Sequence, residues 1–328
     1  MKIRFGEKDI REFEKLSLQM DDNEASGAFY NILIQGDELV SKTKLPYPID
    51  LLDETPYREN PYFQNVKPIP HKEGKVRLDY LTTPARKGFV YDEMIEKGRL
   101  YEEVTPFGYF NNPFKFLALL DKERIWMSVT PHEINTMKEA VDHAHGKVVT
   151  LGLGLGYYVY MVLLNDDVEK ITVIERDPKV ISLFKKHLLP FFPHQEKINI
   201  VEADAIEYLK DAEPFDYLFA DLWHFAIDGV PLYLQINKFE DKYKDSKFEY
   251  WIEPAMLITL RKAMIILVEE EMHGTTDFDY QTAGTISDEI INALHFLLKD
   301  KEFNNIEELL EFLSQKNLKL LAKSLKLK

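Results

Sequence analysis

From Lys147 onward, short apolar runs alternate with amphipathic stretches. Runs rich in β-branched, aliphatic and aromatic residues predict strands near 147–151, 170–175, 197–202, 215–221 and 247–252, with helices between them. Strand and helix in strict alternation imply an α/β fold, a mainly parallel sheet with helices on both faces. Ala255 to Met272 has the length of a helix, and Gly274 stands where one would stop; the short apolar run Ala263–Val268 leaves a strand as the alternative. Two amphipathic stripes follow. Ile286, Ile290, Ile291, Leu294, Leu297 and Leu298 form one, and Ile306, Leu309, Leu310 and Leu313 form the other, behind Asn305 and Glu308 as caps.

Ahead of this block the texture is different. Ile10, Phe13, Leu16, Leu18 and Met20 keep near-helical spacing over 7–20, and Glu24 to Gln35 predicts a second helix stopped by Gly36. Between Lys44 and Pro84, seven prolines interrupt any long element, among many aromatics, so the segment is expected to lie irregularly over a domain surface with a short strand at Lys75–Leu81. Phe89 to Leu100 is expected to be helical. Tyr101 to Phe116, with its aromatics, Gly108 and Pro113, is read either as a lid over a small-molecule pocket or as apolar filler between subdomains. Phe116–Leu120 and Ile125–Val129 then predict a hairpin. Thr130 and Glu133 form a capping box with Pro131 at the first helical position, opening a helix to about Ala144. The pattern divides the chain into an accessory region 1–125, a Rossmann-like domain 126–275 and a helical extension 276–328.

Composition narrows the function classes. At 328 residues the chain can bury a large core; its formal charge of −15 lacks the basic footprint of a nucleic-acid binder, so none is expected. The C-terminal lysines, Lys316 to Lys328, are read as a solvated helix face. Absence of cysteine excludes disulfides and thiolate metal sites. His143 and His145 are read as surface residues, and no metal is expected. The first nine residues lack the apolar stretch of a signal peptide, and no apolar run is long enough for a bilayer, so a cytoplasmic protein without membrane contact is the expectation. A homodimer is left open.

The chemistry gathers at the predicted strand ends. Val148 to Leu151 runs into Gly152-Leu153-Gly154-Leu155-Gly156 and then a helix-compatible stretch, the strand–turn–helix in which glycine lets a ligand approach the backbone. The second strand ends at Glu175, 23 positions after Gly152, near the offset of roughly 20 at which an acid meets a ribose. The third strand ends at Asp204 and the fourth at Asp221. In a parallel sheet such ends face the ligand crevice, and carboxylates, as pure acceptors, suit hydroxyls and an exocyclic amine. A dinucleotide turn would favour G-x-G-x-x-G and leave Asp204 unexplained.

This ordered set resembles the class I S-adenosylmethionine-dependent methyltransferase fold, over about Val148 to Leu222. The resemblance implies a Rossmann-like, doubly wound sheet holding S-adenosyl-L-methionine, or S-adenosylhomocysteine as product. It implies cofactor contacts at Gly152, Leu153, Gly154, Gly156, Glu175, Arg176, Asp204, Ala205 and Asp221, with Asp221 also bordering the reaction site. Within the fold, Lys170–Pro178, Val201–Ala205 and Phe215–Asp221, together with the hairpin and the helix carrying His132 and Glu133, look most like the spermidine synthase branch. Two positions depart from it. An acid of the glycine turn is Leu155 here, and an acid three residues after Asp221 is His224. Ordinary methyltransferases often carry an acid at the place of Thr150. The expectation is a transferase, foremost a methyltransferase acting on an unidentified small molecule, with Asp221 and His224 as catalytic candidates and Trp223 packing the acceptor. The alternatives are aminopropyl transfer and a non-catalytic nucleoside-binding relative.

Overall fold

A computed structural model describes residues 1–18, 49–274 and 285–325. Five strands, β1 (Gly146–Leu151), β2 (Val168–Glu175), β3 (Ile198–Glu202), β4 (Tyr217–Ala220) and β5 (Lys247–Tyr250), form one parallel sheet in the order β3-β2-β1-β4-β5. The inner strands read as unbroken apolar runs because helices cover both faces: Val148, Val149, Leu151, Ile171, Val173 and Ile174 are all buried. Each such side chain contributes about 1.5–3 kcal/mol by leaving water. The edge strand β3 is only half-buried.

Seven helices frame the sheet: α1 (Pro131–Thr136), α2 (Lys138–His143), α3 (Tyr157–Val162), α4 (Pro178–Leu183), α5 (Ala205–Lys210), α6 (Ala226–Ile236) and α7 (Glu253–His273). The expected capping box opens α1 with Pro131 in the first turn, but Met137 divides the one helix expected there in two. The run 263–268 is helical within α7. Met264, Ile265, Leu267 and Val268 are buried there, more of the helix circumference than one face supplies. Gly274, at φ 65°, closes α7 by donating its N–H to the Glu270 and Glu271 carbonyls.

The accessory region is more regular than its prolines suggested. Residues 7–18 are helical, whereas the helix expected at 24–35 lies outside the described residues. The strand expected at 75–81 spans Val76–Thr83 and lies within a four-stranded antiparallel sheet together with the hairpin Phe114–Asp121/Arg124–Ser128. The helix expected over 89–100 is not formed. Phe89–Val90 pairs with Phe107–Gly108, and Gly98 and Tyr101, both at positive φ, turn Ile95–Lys97 back onto Glu102–Val104. Cross-strand pairing there outweighs a weak local helical preference. Both amphipathic C-terminal stripes are helical (Ile286–Leu298 and Ile306–Phe312), and Asn305 caps the second by accepting from the Glu308 N–H. Lys319 and Lys323, on a last helix Gln315–Ser324, pair with Glu253 and Glu240. The larger apolar core runs from Phe13 and Leu16 through the sheet to Leu318 and Leu325.

The sheet's geometry turns on Gly152. Its φ is 98°, and a Cβ there would sit 2.0 Å from the Asp221 carbonyl oxygen. Gly154, at φ 53°, has nothing within 4 Å of its missing Cβ. Gly152→Ala is therefore expected to cost more than about 3 kcal/mol in urea unfolding, and Gly154→Ala only about 1 kcal/mol, the ordinary penalty of a left-handed alanine. Equal midpoints for the two variants would refute the backbone contact as the reason for glycine.

Candidate functional site

Sheet register brings the predicted residues together. Leu151 pairs with Ile174 on one side and Ala220 on the other, Glu175 with Glu202, and Ala220 with Tyr250. The ladder continues one residue past the strands: Gly152 N–H donates to the Ile174 carbonyl at 2.9 Å, Asp221 N–H to Leu151 at 2.9 Å, Ala203 N–H to Glu175 at 3.1 Å and Trp251 N–H to Ala220 at 2.9 Å. The glycine turn, Glu175, Asp204, Asp221 and Trp251 thus border one crevice where the strand order reverses, the place ligands occupy in such sheets. A cavity of about 510 Å³ opens there, within the size range of small-molecule sites. All ten residues assigned to the site from the sequence line it, Leu153, Arg176, Ala205 and His224 among them.

Glu175 bridges β2 to the turn. Its Oε1 accepts from Asp177 N–H at 2.8 Å and its Oε2 from Leu153 N–H at 3.3 Å. Each oxygen holds a second lone pair, so the carboxylate is fixed and still able to accept two hydroxyls. Asp204 caps α5: its Oδ1 accepts from Ile206 N–H (2.9 Å) and Glu207 N–H (3.1 Å). Helix cap and cavity wall are one residue here, not alternatives. Thr150 is buried beneath the turn, and Leu155 is 3% exposed, its carbonyl accepting the Tyr62 hydroxyl at 2.7 Å. Asn60 reaches the Tyr157 hydroxyl at 3.1 Å, so the accessory region grips the turn from behind.

The cavity wall also holds an acid pair that the sequence only half revealed. Glu133 is the third residue of α1 and was read as a capping residue. It does accept from Thr130 N–H at 3.2 Å, and Ser128 Oγ donates to it at 3.4 Å. It also lines the cavity. Burial first, and the charge of Asp221 second, push its carboxyl up to about 8. Burial pushes Asp221 up to about 7. The signal available in the sequence was that a capping-box acid directly follows a hairpin leading into the sheet.

His224 stands at the mouth, its side chain 51% exposed, with Nδ1 3.6 Å from Asp228. Trp223 lines the cavity too, but it is buried and its Nε1 donates to the Trp251 carbonyl at 3.0 Å, so it is core as much as wall. Of the two readings of 101–116, lid or apolar filler, the packing matches filler. Phe107, Phe110, Phe114 and Phe116 are buried, the last three packing with Tyr57 in a second apolar cluster, and no residue of that segment lines the cavity. His143 pairs with Glu249 at 2.7 Å, and His145 bonds to the His143 carbonyl, both far from any such role.

Raised carboxyl pKa values bind protons in the folded state that the unfolded chain releases. Stability should therefore fall as pH rises from about 4.5 toward 8. Glu133→Gln is expected to remove about 1 kcal/mol or more of that fall, read as the difference in urea midpoints across the range. Parallel pH profiles for the two proteins would show that Glu133 is not held protonated by its surroundings.

Part of the chain is similar to known proteins. Residues 132–277 match the spermine/spermidine synthase domain. No match is found among curated proteins. Among solved structures, a spermidine synthase in complex with the transition-state analogue AdoDATO is 21% identical, covering 42% of this chain and 54% of that one (TM-score 0.31). The spermidine synthase of Thermotoga maritima is 20% identical over 46% and 58% (TM-score 0.32), and the 23S rRNA methyltransferase ErmE 22% identical over 29% and 38% (TM-score 0.23). The chain thus spans little more than half the length of the first two.

Proposed function

We propose that this protein is a transferase that moves an alkyl group from an adenosyl sulfonium to an amine, with aminopropyl transfer as its reaction. The observation that carries the reading is the pair Glu133 and Asp221, buried in the wall of the cavity that the glycine turn, Glu175 and Asp204 also line. The domain match over 132–277 supports aminopropyl transfer over the methyl transfer expected from the sequence.

The residues present fit a nucleoside. Open space at the missing Cβ of Gly154 lets a ligand lie on the backbone, Glu175 has lone pairs for ribose hydroxyls, and Asp204 stands ready for the adenine amine. When bound, an adenosyl sulfonium supplies an electrophilic carbon attached to a thioether leaving group. An amine arrives as ammonium and must lose a proton before it can attack. Asp221 takes that proton. Burial makes this favourable from both sides, raising the basicity of the carboxylate and lowering that of the cation. The freed nitrogen lone pair then forms the N–C bond as the C–S bond breaks, and its electron pair leaves on sulfur as a neutral thioether. Glu133 stabilises the cation beside Asp221, and the rest is alignment of nitrogen, carbon and sulfur.

Methyl transfer remains the second reading. It is favoured by Leu155 and His224, which stand where polyamine enzymes carry acids. Release of 5′-methylthioadenosine from decarboxylated S-adenosylmethionine, against release of S-adenosylhomocysteine from S-adenosylmethionine, separates the two. Asp221→Asn is expected to lower kcat by about 10²–10⁴-fold with nucleoside affinity intact; an unaffected kcat would remove Asp221 as proton acceptor. Glu175→Ala is expected to weaken 5′-methylthioadenosine binding by about 1.5–3 kcal/mol in calorimetry, and unchanged affinity would remove the nucleoside from this crevice.

A further inference from the structure

Beyond Asp221 the cavity is poor in acids and rich in indole. All three tryptophans of the chain, Trp126, Trp223 and Trp251, line it. Trp251 follows β5 directly beside the end of β4 and is buried. Its Nε1 donates to Thr136 Oγ1 at 2.8 Å, and Trp223 Nε1 donates to the Trp251 carbonyl. Both polar edges are satisfied inside the protein, so these rings offer the cavity only carbon. At the mouth, Ile125 and Phe225 are 54% and 68% exposed, and both line the cavity. Large apolar side chains left in water around a cavity mark a ligand surface.

Acidic residues are distributed differently. Of the four that line the cavity among the described residues, Glu175 and Asp204 stand at the ends of β2 and β3, on the nucleoside side. Glu133 and Asp221 are the other two, both buried, and the charge of Asp221 acts on Glu133. His224, three residues after Asp221, lines the cavity and brings no carboxylate to it. Asp228, which accepts from the backbone N–H groups of His224 (3.3 Å) and Phe225 (2.8 Å), does not line the cavity. A linear diamine carries two ammonium groups, and its second would lie against indole and phenylalanine with no carboxylate to receive it. A ring face returns less to a cation than burying one unpaired costs.

We propose that the acceptor is a monoamine with an apolar or aromatic body, its nitrogen at Glu133 and Asp221 and its body against Trp223, Trp251 and Phe225, and not a linear polyamine. This rests on the amine-acceptor reading given under the proposed function. Tryptophan emission reports the site directly, because every tryptophan lines it; calorimetry provides a second readout. With 5′-methylthioadenosine saturating and at physiological salt, phenethylamine and hexylamine are expected to bind roughly tenfold or more tightly than putrescine. His224→Asp, a change at an exposed position, is expected to raise putrescine affinity about tenfold and so narrow the gap. Putrescine binding as tightly as the apolar amines, or no binding of any amine, overturns the proposal. A turnover arm with decarboxylated S-adenosylmethionine keeps the two failures apart: apolar amines that bind but are never alkylated sink the transferase reading and leave the acceptor pocket standing, whereas preferential alkylation of putrescine keeps the transferase and sinks the pocket's apolar preference.

Discussion

The contact between Gly152 and the carbonyl of Asp221 is the constraint on which the site depends. A side chain of any size at 152 would push the ends of β1 and β4 apart, because its first carbon would meet that oxygen at 2.0 Å. With glycine there, the turn proposed to hold a nucleoside and the acid proposed to face the acceptor share one crevice. The same sheet ladder, continued past the strands through Ala203 and Trp251, lines up the other walls. Donor and acceptor sides are thus set by backbone geometry, and side chains only choose what each side binds.

What they choose on the acceptor side follows from burial. Two carboxyls pushed up by burial are poor anions on their own, and the charge of Asp221 raises Glu133 further. A cation entering the cavity reverses that balance. It stabilises the charged forms, and the low local dielectric that penalised them strengthens the attraction. The protein's overall charge of −15 adds a diffuse pull on cations, but salt screens it beyond about 8–10 Å, so selection must be made inside the cavity.

The parts legible in the sequence were those fixed by local rules. Strands β1 to β5, the Thr130–Glu133 box and the Gly274 stop all follow from periodicity, capping and left-handed glycine, and they stand where those rules put them. Cavity walls contributed by the sheet were legible for the same reason, since strand ends in a parallel sheet must face one edge. Pairing decided the rest. Nothing local in Phe89–Leu100 shows that Ile95 will meet Val104, and nothing near Glu133 shows that the hairpin before α1 carries this acid to Asp221. Trp126 and Trp251 were invisible as site residues because their neighbours across the cavity come from distant parts of the chain.

The turn itself shows how an acid can be absent without loss of the fold. Leu155 lines the cavity yet is almost wholly buried, and its carbonyl is held by Tyr62, whose ring packs edge-on against Tyr157 and Tyr160. A turn rigidified from behind does not need a ligand contact to hold its shape, so the backbone remains competent for a nucleoside while the polar demand at that point disappears. His224 is a different case, since it is exposed at the mouth and free of the core. One substitution is anchored by packing and the other is not. Specificity in this crevice is therefore easier to change from the rim, at His224 and Phe225, than from the turn, where any charged group would have to displace the aromatic packing that keeps the glycines in place.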